Sequence, residues 1–183
     1  MVLQKIALFL VTSLFSLYIV IVMLRFLLAT ARANFYNPLS QFLVKSTNPL
    51  LIPLRRMIPP IGKIDTASLV LAFLLQLIQI VLIVLILQAN PGWAYILIAA
   101  IVELTRLVIW IFIIALIIQA ILSWVGTSYT SPITPLLDDL TAPILSPLRR
   151  IIPTVGMIDL SPLAAILLLQ VILIALSALP SIS

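Results

Sequence analysis

The 183-residue chain contains no cysteine and no histidine. Their absence excludes disulfides, thiolate nucleophiles, imidazole bases and the usual haem and transition-metal ligands together. Met23, Met57 and Met157 offer only thioethers. Acid is scarce as well: five Asp and Glu residues leave little for acid–base or nucleophilic catalysis, so no cofactor is expected and an enzyme is the least favoured class. Charged residues reach 8% against 64% apolar, where a soluble globular chain is nearer a quarter and a half.

The apolar excess is arranged in runs. Segments 6–25, 67–88, 94–124 and 163–179 are each nearly free of charge, and about twenty such residues cross ~30 Å of hydrocarbon. An all-α membrane protein with four transmembrane helices follows, forming one membrane domain over 1–183. Ala29-Thr30-Ala31 resembles a signal-peptidase site, but the first apolar run is longer than a signal-peptide core and has a counterpart in mid-chain, so it is expected to be retained. Asn90-Pro91-Gly92 is a tight turn, and Ser123-Trp124 puts an aromatic anchor near the far end of the third span.

Between the spans one sentence is written twice. Residues 47–65 read TNPLLIPLRRMIPPIGKID and residues 141–159 read TAPILSPLRRIIPTVGMID, at an offset of 94 without gaps and with twelve of nineteen positions identical. The informative matches are Pro49/Pro143, Pro53/Pro147, Arg55/Arg149, Arg56/Arg150, Pro59/Pro153, Gly62/Gly156 and Asp65/Asp159. The chain therefore divides into repeat 1 (1–89) and repeat 2 (95–183). Each has two crossings, so the repeats are parallel, related by an axis along the membrane normal. Seven of ten Lys and Arg residues lie in the two motif loops. The positive-inside rule then places those loops in the cytoplasm and both termini on the other side. The net charge of +5 is read through that topology, and direct nucleic-acid binding is not expected.

Each loop is expected to carry short interfacial amphipathic helices. Asn37-Pro38 and Ser131-Pro132 pair a capping side chain with a residue whose missing N–H costs nothing at the first helical position. Ser146-Pro147 repeats that pattern within the motif, Pro59 or Pro153 ends the short helix, and Gly62 or Gly156 allows a turn. Asp65 and Asp159 precede spans, where a carboxylate caps free amides. For the Arg doublets three readings stand: a lock with Asp65 and Asp159, plain anchoring to anionic lipid headgroups, or recognition of a specific partner.

Within the spans, Gln76 and Gln170 are equivalent at the offset of 94, with interhelical hydrogen bonds as the default role. Glu103 and Arg106 are three apart, share a helix face and can neutralise each other, and an intramembrane ionisable pair is a candidate functional site. Repeat 1 has Phe9 and Thr12 at those places, so the halves are not expected to share a charged path. The long third helix can also hold the pair near its end.

The pattern P-x-L-x-P-L-R-R-x-I-P-x-x-G-x-I-D, followed by a span carrying L-L-Q, resembles the YggT family, also called YlmG, of bacterial and chloroplast membrane proteins. The resemblance covers both halves, and FYNPLSQF at 35–42 is similar to the double-repeat proteobacterial form. Leu122-Ser123-Trp124 and Ile158 to Leu163 fit the family pattern. Ala29-Thr30-Ala31 departs from an expected Ser-Trp, Ala67-Ser68 from Ser-Pro, and Asn48 and Ala142 from a frequent Glu. The resemblance implies a bacterial inner membrane. It also implies roles as varied as osmotic and potassium tolerance, cell-division gene neighbourhoods, nucleoid distribution and cytochrome b maturation, with no catalytic residue to carry over. The leading expectation is a non-enzymatic scaffold or assembly factor presenting two basic Pro/Arg loops to a protein partner or anionic lipid. The rival is a channel or transporter using Glu103, Arg106, Gln76 and Gln170, which needs a homo-oligomer because four helices rarely enclose a pore.

Overall fold

The computed structural model describes residues 2–62, 64–125, 132–152 and 159–180. Six helices follow in order: α1 Val2–Thr30, α2 Pro38–Met57, α3 Thr66–Leu87, α4 Trp93–Val125, α5 Ile133–Ile151 and α6 Ser161–Leu176. The order is one theme stated twice: a long apolar helix, an amphipathic helix with two internal prolines, and a second apolar helix. Ser131, Pro153 and Gly156, and the Trp124 side chain, lie outside the described residues.

Three helices, α1, α3 and α4, are long and apolar enough to cross a membrane. The fourth expected span is shorter. Helix α6 has 16 residues, about 24 Å at the α-helical rise, short of ~30 Å of hydrocarbon. Large apolar side chains such as Leu3, Phe9, Leu14 and Leu17 on α1 and Leu167 and Val171 on α6 are exposed on the outside, as expected where lipid replaces water.

The amphipathic segments differ from the sequence expectation. In place of separate short helices broken by proline, α2 and α5 are continuous, with Pro49 and Pro53, and Pro143 and Pro147, inside them. Each interior proline removes a hydrogen bond and crowds the carbonyl four residues back, at about 3 kcal/mol. Two features let the helices run through. The prolines are four apart and all four are exposed, so both freed carbonyls of a helix open to the outer face. The opposite face is buried: Leu43, Thr47 and Leu51 in α2, and Leu140, Thr141 and Leu145 in α5. Asn37 begins α2 as anticipated, its side chain accepting from Leu39 N at 2.9 Å. The helix ends at Met57, with Ile58 extended ahead of Pro59, the conformation a following proline favours.

Packing joins the elements in sequence. Gln4 Nε2 donates to Ile86 O at 2.9 Å, tying the start of α1 to the end of α3 in an antiparallel hairpin. Ile19, Val22 and Met23 of α1 and Ala67, Leu71 and Ala72 of α3 belong to one core that reaches under α2 and α5. Small residues bring α3 and α4 together, with Ala99 and Ala100 fully buried beside Ile80, the way apolar helices approach without a hydrophobic drive. Leu116, Leu145 and Ala165 join α4, α5 and α6. Asn37 Nδ2 donates to Pro132 O, so α2 and α5 set out from neighbouring points.

Candidate functional site

An Arg–Asp pair joins the end of each amphipathic helix to the start of the apolar helix that follows. Arg55 reaches back to Asp65, and Arg149 Nε donates to Asp159 Oδ2 at 2.8 Å. Each Asp also holds the start of the next helix. Ser68 Oγ donates to Asp65 Oδ2 at 2.6 Å, and Ser161 N donates to Asp159 Oδ1 at 2.9 Å. Thr66 Oγ1 donates to Pro59 O at 2.7 Å, and Gly62 turns with φ +61°, a left-handed conformation that penalises a Cβ. Burial alone would raise the Asp65 carboxyl; hydrogen bonds from Arg55 and Ser68 outweigh it and hold the group below the usual carboxylate range. Asp159 is lowered too, burial again being outweighed, here by Ser161 and Arg149.

The doublets thus divide their labour. Arg55 and Arg149 are the arms of the lock. Arg56 and Arg150 are exposed and have no ion-pair partner among the described residues. They stand in the last turns of α2 and α5, where positive charge is favoured by the helix dipole.

A second joint lies one step deeper, and the sequence reading passed over it. Arg25, only 4% exposed, runs from α1 to α2, where its Nη1 donates to Thr47 Oγ1, to Asn48 Oδ1 at 2.9 Å and to Val44 O at 3.3 Å. At the offset of 94 Arg25 becomes Gln119, Thr47 becomes Thr141 and Val44 becomes Asp138. Gln119 Nε2 donates to Asp138 Oδ1 at 2.6 Å and its Oε1 accepts from Thr141 at 2.8 Å. The same threonine makes the same crossing in both repeats. Comparing the copies outside the motif would have found it.

Between the middle turns of α1 and α4 and the later turns of α3 and α6 lies a cavity of about 810 Å³. Gln76, Gln170, Glu103 and Arg106, far apart in sequence, all line it. So do Thr12, Ser16, Gln79 and Ser177, which sequence reasoning did not single out as a group. The lining obeys the repeat: Thr12 and Arg106, Ser16 and Trp110, Gln76 and Gln170, Gln79 and Leu173, Ile80 and Ile174, and Ile83 and Ser177 are pairs at the offset of 94. Among the described residues both charged groups of the lining, Glu103 and Arg106, come from repeat 2, while both halves contribute polar and apolar side chains to the one cavity where they meet.

Two expectations change here. Gln76 does not bridge helices. It donates to Gln79 Oε1 at 3.1 Å on its own helix, and Gln79 makes the crossing, to Ser16 Oγ at 3.1 Å and Thr12 O at 3.3 Å. Arg106 is not near the end of α4 but thirteen residues in from Trp93, about 20 Å along the axis. It pairs with Glu103 at 3.4 Å, and its Nη2 donates to Leu176 O, the last residue of α6, at 2.9 Å. The following turn already donates to the last carbonyls of α6, Leu179 N to Leu176 O at 3.1 Å among them, and the guanidinium adds a second donor and a positive charge at that negative end.

Helices of span length, outward apolar side chains and a duplicated ion-paired proline motif define an internally repeated helical protein of the membrane type. Residues 4–86 and 98–180 each match CCB3/YggT, the two matches starting 94 residues apart, as the motifs do. The chain belongs to the CCB3/YggT family. It is 45% identical over 168 residues to an uncharacterised protein of Pseudomonas aeruginosa, covering 91% of this chain and 85% of that one. It is 39% identical over 165 residues to "Uncharacterized protein YggT" of Escherichia coli K12, covering 90% and 85%. No solved structure matches.

Proposed function

We propose that the chain is a non-enzymatic scaffold or assembly factor of the bacterial inner membrane, with four crossings, both termini in the periplasm and the two motif ends in the cytoplasm. Arg56 and Arg150 are the contact residues, and the Arg55–Asp65 and Arg149–Asp159 locks hold them in place. The observation that carries this reading is the division of each doublet. Positive-inside selection needs only charge, whereas here one arginine of each pair is spent on an ion-paired frame and the other, at a helix end, has no ion-pair partner among the described residues. The exposed prolines stiffen that frame and keep the outer faces of α2 and α5 open to a protein partner or anionic headgroups.

The alternative, an oligomeric channel or transporter, draws on the cavity where the halves meet. It is the weaker reading because Arg106 is committed to Glu103 and to the end of α6, a structural use that accounts for the pair.

The cysteine-free chain suits a direct test of placement. Single cysteines replacing Met57 and Trp93, both exposed, are expected to react with a membrane-impermeant thiol reagent from the cytoplasmic and periplasmic sides respectively. For function, crosslinkers placed beside Arg56 and Arg150 in cells are expected to capture a defined partner that the Arg56→Ala, Arg150→Ala double variant loses. Capture that ignores those arginines sinks the scaffold reading.

A further inference from the structure

Arg25 does more than join α1 to α2. Among the described residues its three hydrogen bonds all leave from Nη1 and all end on neutral acceptors, so an arginine that is 4% exposed makes no ion pair there. The nearby carboxylate, Asp65, is already taken by Arg55. Arg25, Arg55 and Asp65 line one pocket of about 470 Å³ at the end of α1, together with Gly62 and an apolar wall that includes Phe35 and Ile58. Two cations and one anion leave that pocket with a surplus of one positive charge, and a buried unpaired charge is costly unless something neutralises it.

Repeat 2 shows that the joint itself does not need the charge. There Gln119 holds Thr141 with a neutral amide, and where Val44 lines the pocket in repeat 1, the second copy carries the carboxylate of Asp138. The positive charge of Arg25 therefore has a use particular to repeat 1.

We propose that the Arg25–Arg55 pocket binds a phosphate group carrying one negative charge, as in a phospholipid phosphodiester or a free phosphate ion. Arginine forks match phosphate oxygens, one negative charge balances the surplus, and the wall of Phe35 and Ile58 suits glycerol and the first acyl carbons of a lipid. Arg25 lies five residues before the end of α1, about 7.5 Å along the axis, the level at which headgroup phosphates meet a spanning helix. Among the described residues the second repeat, with Gln119 and Asp138 at the places of Arg25 and Val44, carries no such pair of arginines. The inference is independent of the scaffold reading, since it uses neither Arg56 nor Arg150.

The test uses the full chain, purified and delipidated in detergent, with phosphatidylglycerol, dioleoylglycerol and inorganic phosphate as separate probes and native mass spectrometry as readout. One phosphatidylglycerol per chain is expected, with dioleoylglycerol bound at least tenfold more weakly. Binding of inorganic phosphate alone would make the ligand a free ion and uphold the site. Arg25→Gln and Val44→Asp each install the residue of repeat 2 and are expected to weaken phosphate binding at least tenfold. Val44→Asp gives Arg25 a carboxylate partner, so its helicity and melting temperature are expected to hold, which separates loss of ligand from loss of fold. Wild-type protein that binds neither phosphate probe, or a well-folded Val44→Asp variant that binds as wild type does, overturns the proposal.

Discussion

The two repeats agree where the backbone makes demands and differ where charge is placed. Both close the motif with an Arg–Asp pair ten residues apart in sequence, and both seat a threonine of the amphipathic helix against a polar side chain of the long one. The arginines that join their helices, however, stand at different places. Repeat 1 keeps Arg25 at the end of α1, whereas repeat 2 keeps Arg106 at the place equivalent to Thr12, thirteen positions earlier, or about 20 Å along the helix. Helix length explains half of this. Helix α3 runs to Leu87, with Gln88 closing it in a left-handed conformation. Helix α6 stops at Leu176, equivalent to position 82, which brings its negative end beside Arg106. The two copies share a frame and place their arginines at different ends of it.

The sharpest way to break this comparison is to exchange the residues that differ. Arg106→Thr installs the residue of repeat 1, removing the guanidinium that pairs with Glu103 and donates to Leu176 O. Loss of this partly buried, charge-assisted contact is expected to cost about 1.5–3 kcal/mol, read as thermal unfolding in detergent. Thr12→Val is the control. The Thr12 hydroxyl donates only within its own helix, to Leu8 O at 2.8 Å and Phe9 O at 3.1 Å, so a loss below about 1 kcal/mol is expected. Equal effects would show that Arg106 caps nothing.

Next in size come the locks. Asp65→Asn and Asp159→Asn each remove an ion pair and a carboxylate that holds a helix start, at about 1–2 kcal/mol. The Asp65 side chain is 13% exposed and that of Asp159 31%, so the first variant is expected to melt lower than the second. Reversal of that order would mean that burial does not grade the two locks.

Acid gives a gentler probe of the same pairs. Both carboxyls are lowered in the folded chain, so their contribution is whole above the ordinary value of about 3.9 and is lost as pH falls through the lower folded value. Melting temperature is expected to be insensitive to these groups between about pH 8 and 5 and to decline below about pH 4. An Asp65→Asn, Asp159→Asn variant is expected to show a shallower acid decline, and the same slope as wild type would contradict the lowered values. Smallest of all is Gly62→Ala. Nothing lies within 4 Å of the added methyl, so only the left-handed φ is felt, at about 1 kcal/mol by the same unfolding measurement.

Much of this was open to reading from residue order. Charge-free runs gave the long helices, Asn37-Pro38 marked the start of α2, and the duplicated motif offered a lock between the Arg doublets and Asp65 and Asp159 as one of three readings. Proline misled the reading of α2 and α5, because its helix-breaking tendency is a local property. The buried face of Leu43, Thr47 and Leu51 that overrides it exists only once α1 and α3 are in place. Gln79 and Arg25 were missed for a related reason: a lone polar residue in an apolar run does not announce which neighbour will satisfy it.

Sequence alone determined the repeat, its offset and the long apolar helices, since periodicity and composition are written along the chain, and it narrowed the Arg doublets to three readings. Only tertiary structure decided that Arg106 meets the end of α6, that Arg25 is buried beside Arg55 without a carboxylate of its own, and that residues from both copies line one cavity. Those outcomes depend on where each helix stops and which helix lies beside it, and in a nearly charge-free chain so many packings are equally apolar that the choice falls to a few polar groups finding partners in three dimensions.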